Sequence, residues 1–387
     1  MLEAAFKGGR RYWGLMAVWA VLIVIGLFAY AQQFTEGLGV TGMTRDVTWG
    51  LYIAQFTFLV GVAASAVMVV LPYYLHDHKA FGKTVILGEF LAVSAVVMCM
   101  LFIFVDMGRP ERVLNMFLHP TVNSVMFWDA VVLFGYLILN LVIGTVTFDA
   151  ERKGGPPPGW IKPLIILSIP WAVSIHTVTA FLYSGLEART FWMTAILAPR
   201  FLASAFASGP SLLILLALLL RHTTAFDVGW KAIRTLAVIV AYAMAINLFF
   251  VGVELFTGLY SDMPHHVHTF EFLYLGLEGH TNLVPWMWVN AVLTVACVAL
   301  LLTPATRRRE GLLAVTAVGV IAAIWIEKGM GLVVAGFTPT PLGEVTEYVP
   351  TLIEVAVTVG VYALGFAILT VLSRIVVNVR EKQIEAT

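Results

Sequence analysis

Six carboxylates and one histidine stand inside long apolar runs of this sequence: Glu89, Asp106, Asp129, Glu254, Glu327, Glu354 and His176. The histidine sits in "WAVSIHTVTAF" (171–181), where it could ligate a haem, relay a proton or pack as a core residue. Carboxylate and imidazole groups bind protons and cations, and a charge at a bilayer centre costs at least roughly 2.5 kcal/mol. Each such residue is therefore a candidate for function, set against the plainer reading in which each pairs privately. Two such pairs are close in sequence: Asp106 with Arg109, and Glu327 with Lys328.

Counting excludes several chemistries. Two b-type haems need about four axial ligands. Of the nine histidines, His76, His78, His119, His222, His265, His266, His268 and His280 lie in connections or at run ends, leaving His176 alone within the apolar interior. Cys99 and Cys297 are isolated small hydrophobes, too few for an iron–sulfur cluster, and the sequence has no CxxC motif. His265, His266 and His268 have a spacing zinc accepts, yet no clear third and fourth ligand joins them. We read their segment, 261–283, as a solvated loop or docking surface.

The elements that position these residues are membrane helices. The 387 residues are 60% hydrophobic and 12% charged, against about 25% charged in soluble domains. The zero formal net charge argues against a nucleic-acid partner. A span needs roughly 20 apolar residues. Ten runs qualify, at about 12–32, 48–75, 84–107, 122–148, 162–184, 200–220, 232–260, 283–303, 311–336 and 349–378. The first is longer than the apolar core of a signal peptide, so it reads as a retained span. Lys and Arg divide 17 to 6 between the two sides, the rich side holding both termini (Lys7, Arg10 and Arg11; Arg374, Arg380 and Lys382). Basic loops stay inside, so both termini are expected to be cytoplasmic, and the best linker, 149–160, lies on that side.

Alternating orientation gives each polar residue a depth. Asp106, Asp129, His176, Glu254, Glu327 and Glu354, with Tyr52 and Gln55, gather toward the outer face, while Glu89 lies near the inner one. A weak echo of "FWDAVVLFGYLI" (127–138) in "MWVNAVLTVACV" (287–298) suggests a parallel duplication. The expected fold is an all-α integral membrane protein, one membrane domain over 1–387. Two parallel four-helix bundles, spans two to five (44–184) and six to nine (200–336), are joined by flanking helices 12–32 and 349–378. The residues alone leave three readings open: a redox subunit, a proton- or ion-coupled secondary transporter, and a structural membrane anchor.

Three segments narrow the choice: "TRDVTWGLYIAQFTFLVGVAASAVMVVLPYYL" (44–75), "LGEFLAVSAVVMCMLFIFVDMGRPERVLNMFLHP" (87–120) and "NSVMFWDAVVLFGYLILNLVIG" (123–144). They resemble the NrfD/PsrC family, the membrane subunits of polysulfide-reductase-type complexes. Asp106 to Arg112, followed by His119-Pro120, is the most specific stretch. Among ten-span members the chain most resembles DsrP of the DsrMKJOP complex of dissimilatory sulfur metabolism. The resemblance implies a subunit of the bacterial or archaeal cytoplasmic membrane with no haem, iron–sulfur cluster or redox metal of its own. It implies binding of menaquinone or another isoprenoid quinone near the periplasmic face. Electrons would be exchanged with a periplasmic ferredoxin-like iron–sulfur subunit, in a complex with multihaem cytochrome c and further membrane subunits. Carried onto this sequence, the quinone pocket falls on Tyr52, Gln55, Asp106, Asp129 and His176, with Asp106 and Arg109 shaping its outer mouth and Arg109 and Trp128 counted among the quinone-binding residues. His176, Asp129 and Asp106 are the expected catalytic groups. Glu89, Ser94, Ser124 and Asn140 are candidates for a proton path from the cytoplasm, and Glu254, Asn290, Glu327 and Glu354 for a second one.

Overall fold

The protein is described by a computed structural model covering residues 8–76 and 78–385, so Lys7 lies outside the described residues. Among the described residues, ten helices are long and apolar enough to cross a bilayer. They are Arg10–Glu36, Leu51–Tyr74, Lys79–Asp106, Val125–Arg152, Ile161–Ser184, Leu197–Thr223, Trp230–Tyr260, Val284–Leu302, Glu310–Ala335 and Leu352–Val379, here spans one to ten. They match the ten apolar runs to within a turn or so at each end.

Packing follows sequence order. Spans two to five close a ring, each touching the next and span five returning to span two. Spans six to nine close a second ring in the same way. The rings meet where span two lies against spans six and nine and span five against span six. Spans one and ten pair with each other, and span ten lies on span three. Span two is thereby surrounded: 94% of its apolar window is buried, against 6% for span one, which keeps an apolar outer face. Small residues let the two rings approach, as lipid-embedded helices require. A Cβ at Gly209 of span six would come within 3.1 Å of Ser65 in span two, and one at Gly61 within 3.4 Å of the Ala205 Cα. Gly26 and Gly360 do the same between spans one and ten, where an added Cβ would meet the opposite Cα at 2.5–2.6 Å.

Three features depart from the expectations above. Residues 261–283 are not all loop: Pro264–Tyr274 is a helix whose His266, Thr269, Phe270, Phe272 and Leu273 are buried. Span nine widens into a π-helical turn over Trp325–Gly331, an irregularity that concentrates at functional sites. Arg200 and Lys328, two of the six basic residues on the poorer side, are buried within spans six and nine. Removing them from the six leaves four basic residues in the connections there, so the asymmetry steepens. We call the ends of the bundle the basic end and, opposite it, the acid-lined end.

Candidate functional site

The polar residues that open span two point in different directions because the helix is enclosed on every side. Tyr52 donates to Gln33 Oε1 of span one at 2.6 Å, and Gln33 Nε2 donates to the Val105 carbonyl at 2.7 Å. Gln55 faces the other way, its Oε1 accepting from Trp325 Nε1 of the π turn and the Tyr362 hydroxyl of span ten, each at 2.7 Å. Thr57 turns toward span five, sharing a hydrogen bond with the Tyr183 hydroxyl. Tyr52, Gln55 and the span-four and span-five residues therefore do not line one pocket.

Asp129 and His176 do come together. Asp129, one turn into span four, accepts a 2.7 Å hydrogen bond from Thr179 Oγ1. His176 is one turn from Thr179, so the two share a face of span five. The imidazole is fully buried, and neither ring nitrogen has a hydrogen-bond partner among the described residues. A buried polar atom without a partner costs about 1–3 kcal/mol, so this ring invites a ligand. Above it, the Tyr183 ring packs edge-on to Trp49 and Trp192, which stack on each other at 5.6 Å. Trp49 also lines a surface cleft of about 500 Å³ formed with Thr48, residues 185–189 and Phe337. Arg189 overhangs it, 4.4 Å from the Phe337 ring centre. Burial lowers the affinity of Arg189 for its proton, and Asp46 opposes that effect.

The second ring holds a different arrangement. Arg200 donates through Nε and Nη2 to Glu327 Oε1 at 3.0 and 2.8 Å, and its Nη1 pairs with Glu254. Asn247 Nδ2 donates to Glu327 Oε2 at 2.9 Å. Glu327 thus pairs with Arg200 and not with its sequence neighbour. Lys328 points away, with Nζ 4.2 Å over the Phe201 ring and no hydrogen-bond acceptor among the described residues.

A model of the family described as "Polysulphide reductase, NrfD" matches residues 39–341. The chain belongs to this family. As an NrfD-family protein it resembles, at 28% identity over 91% of its length and 88% of the relative's, a candidate membrane subunit of dimethyl sulfoxide reductase from Halobacterium salinarum. It is 23% identical to the Hdr-like menaquinol oxidoreductase integral membrane subunit of Archaeoglobus fulgidus, over 97% and 95% of the two chains. It is 21% identical to a selenate reductase subunit of Mesobacillus selenatarsenatis, over 96% and 95%.

The remaining candidate residues of this NrfD-family chain divide. Glu354 is fully buried and well bonded: its carboxylate accepts from the Tyr348 hydroxyl and from the Gly42 and Thr351 amides at 2.6–2.8 Å. It ties connections to the start of span ten, with three of its roughly four acceptor positions used. The hydroxyl of Tyr348, outside the spans, is held protonated well above the usual tyrosine range by burial and by Glu354. Asp106 ends span three with Oδ1 unpartnered among the described residues. Arg109 is exposed and pairs with Glu111 at 3.6 Å, not with Asp106. Trp128 is 47% exposed and donates to the Val122 carbonyl, on the outside of span four.

Glu89 is buried with both oxygens unpartnered among the described residues, against Gly144 of span four. Asn140 lies one turn from Gly144 on the same buried face and donates to the Tyr136 carbonyl at 2.8 Å. Asp129, Tyr136, Asn140 and Gly144 all belong to this face. Ser94 leaves it, donating to the Gly365 carbonyl of span ten at 2.6 Å. Ser124 stands at the start of span four, at the acid-lined end, one turn or so before Asp129. Asn290 hydrogen-bonds the Ala323 carbonyl and Thr294 within the second ring. Thr179, Tyr136, Tyr183, Arg200 and Lys328 are not singled out by residue type and spacing alone. Only Arg200 and Lys328 leave a signal there, as cations adjoining runs that contain unpaired acids.

Proposed function

We propose that this chain is the quinone-binding membrane subunit of an electron-transfer complex, holding the quinone head at the acid-lined end between spans four and five. The observation that supports this most is His176, a fully buried imidazole with two unpartnered nitrogens beside the Asp129–Thr179 hydrogen bond. That donor and acceptor set fits a quinone ring. A bound quinone supplies two-electron, two-proton chemistry. His176 would hold one of its oxygens, and Asp129 would take up or release the proton, kept in place by Thr179. Trp49, Trp192 and Tyr183 keep bulk water away from the pair.

The Archaeoglobus fulgidus relative's name, a menaquinol oxidoreductase subunit, supports menaquinone; the DsrP-like role in dissimilatory sulfur metabolism rests on the sequence resemblance alone. On this reading the acid-lined end is periplasmic and both termini are cytoplasmic. A ferredoxin-like iron–sulfur subunit docks over the cleft of Trp49 and Arg189, with a multihaem cytochrome c and further membrane subunits beyond. Protons would reach the site from the basic end along Glu89, Asn140, Tyr136 and Asp129. The face from Gly144 to Asp129 covers about 22 Å at 1.5 Å per residue. Its longest step, Tyr136 to Asp129, is about 10 Å, too far for a direct hydrogen bond, so water completes it. The transporter reading has less support, because Arg200 already occupies Glu254 and Glu327.

The test is quinol-dependent electron transfer by the assembled complex carrying His176→Leu or Asp129→Asn. Loss of a positioned proton-transfer group lowers rates by about 10²–10⁴-fold, with subunit stoichiometry unchanged. Wild-type rates in both variants would overturn the assignment.

A further inference from the structure

Arg189 stands between two cavities at the acid-lined end. One is the cleft of about 500 Å³ that Trp49, Leu186 and Phe337 line. The other, of about 180 Å³, is walled by Thr190, His265, Thr269, Thr338 and Thr340, and residues 187–189 form the rib that lines both. The guanidinium on this rib is held in place. It lies 4.4 Å from the Phe337 ring centre, and its Nη1 donates to the Phe337 carbonyl at 3.2 Å. Its Nη2 reaches the Asp46 carbonyl at 3.4 Å, while the Asp46 carboxylate pairs with Arg45 at 3.6 Å. Among the described residues no carboxylate is in ion-pair contact with Arg189. A fixed guanidinium fork facing open space is the shape that takes a carboxylate through two parallel hydrogen bonds. Holding the fork in advance lowers the ordering cost of binding.

The surroundings select what can carry that carboxylate. The second ring's two connections at this end, 261–283 and 336–351, hold Asp262, Glu271, Glu278, Glu344 and Glu347 and no Lys or Arg. Free phosphate or an anionic lipid head meets net repulsion there, whereas a protein face can set one carboxylate among basic residues. We propose that Arg189 anchors one carboxylate of the docked iron–sulfur subunit, an Asp, Glu or chain terminus set in an otherwise basic face. Beside it, an apolar side chain of that subunit enters the cleft against Trp49. Tryptophan and arginine carry a large share of interface energy when they sit at the centre of a patch, and complementary charge around them fixes the register of docking. Glu187, exposed on the same rib, meets the basic part of the partner's face. That the partner is the iron–sulfur subunit rests on the reading above; the carboxylate anchor does not.

Zero-length carbodiimide coupling of the complex carrying Arg189→Lys tests the contact, because that reagent joins an ammonium to a carboxylate it touches. Peptide mass spectrometry should find position 189 joined to an Asp, Glu or terminal carboxylate of the iron–sulfur subunit. Coupling only to Glu187 or Asp46 of the same chain, or none at all, would overturn the anchor. Affinity gives a second measure. The solubilised full chain carrying Arg189→Gln should bind the isolated iron–sulfur subunit about tenfold or more weakly, while Arg45→Gln, whose side chain is 87% exposed, should change little. Arg189→Gln makes this end more acidic, so a partner held by its basic face alone would bind as well or better, and that result would also overturn the anchor. A folding defect is told apart by charge exchange: Arg189→Glu together with Lys in place of the cross-linked carboxylate should restore binding. Coupling to a carboxylate of a different subunit would keep the anchor and sink the iron–sulfur docking. Wild-type rates in His176→Leu would sink the quinone assignment and leave this contact standing.

Discussion

Replacing Arg200 by Gln gives the strongest quantitative test of how the second ring is held together. Arg200, Lys328, Glu254 and Glu327 are all buried, and their formal charges sum to zero. The guanidinium makes two hydrogen bonds to Glu327 and one to Glu254. Arg200→Gln leaves a net charge of −1 in that group and two carboxylates facing each other. Breaking a buried ion pair from one side costs about 3–5 kcal/mol, a large share of a typical total stability of about 5–15 kcal/mol. Adding Glu254→Gln restores neutrality and should recover most of the loss. Replacing all four of Arg200, Lys328, Glu254 and Glu327 together by apolar residues of similar volume should be neutral or stabilising by about 1–4 kcal/mol. The assay is reversible unfolding of the chain in mixed micelles, read as a double-mutant cycle. An Arg200→Gln loss well below the roughly 3 kcal/mol floor, or strictly additive Arg200 and Glu254 effects, would refute the argument.

Further outcomes follow from contacts at the acid-lined end. Gly336→Ala would place a methyl 1.9 Å from Cε2 of Trp192, whose Nε1 donates to the Leu332 carbonyl at 2.9 Å. The forced shift should lower stability by about 1–3 kcal/mol, whereas Gly155→Ala, with nothing near its Cβ, should be silent in the same thermal melt. His266, packed near Phe191, is held below the ordinary histidine value by burial, with Glu254 opposing and His265 adding to the effect. The unfolded chain then takes up the proton first, so this residue's contribution is intact above about pH 6.5 and is lost as pH falls below it. Melting His266→Phe at about one pH unit above and one below that value should show a smaller acid loss than wild type; an equal loss would discount the residue.

The spans were legible in the sequence because lipid demands continuous apolar length, and the gathering of the acids at one end of the bundle because successive spans run in opposite directions. Which side chains meet was not legible. Span two is apolar and buried all round, so its pattern has no face from which the separate directions of Tyr52, Gln55 and Thr57 could be read. Arg200 lies in the first turn of span six, where it reads as a loop cation until Glu254 and Glu327 are brought beside it. Lys328 and Glu327 are adjacent in sequence, and neighbours i and i+1 do not face each other on a helix, so the pair the sequence offered does not form. The helix Pro264–Tyr274 was hidden by its histidines, of which His266 is buried.

The Arg200–Glu254–Glu327 triad also bears on how the chain is made. Its members arrive on spans six, seven and nine, and a translocon releases spans in order. Each charge at a helix centre costs roughly 2.5–3.5 kcal/mol to insert. A nascent chain therefore holds Arg200 without a counter-ion until Glu254 follows on span seven, and the guanidinium gains its two hydrogen bonds to Glu327 only when span nine arrives. Assembly of the second ring is consequently committed late, after Trp325–Gly331 has emerged. A polypeptide arrested between spans six and nine carries an exposed polar defect that membrane quality control can recognise.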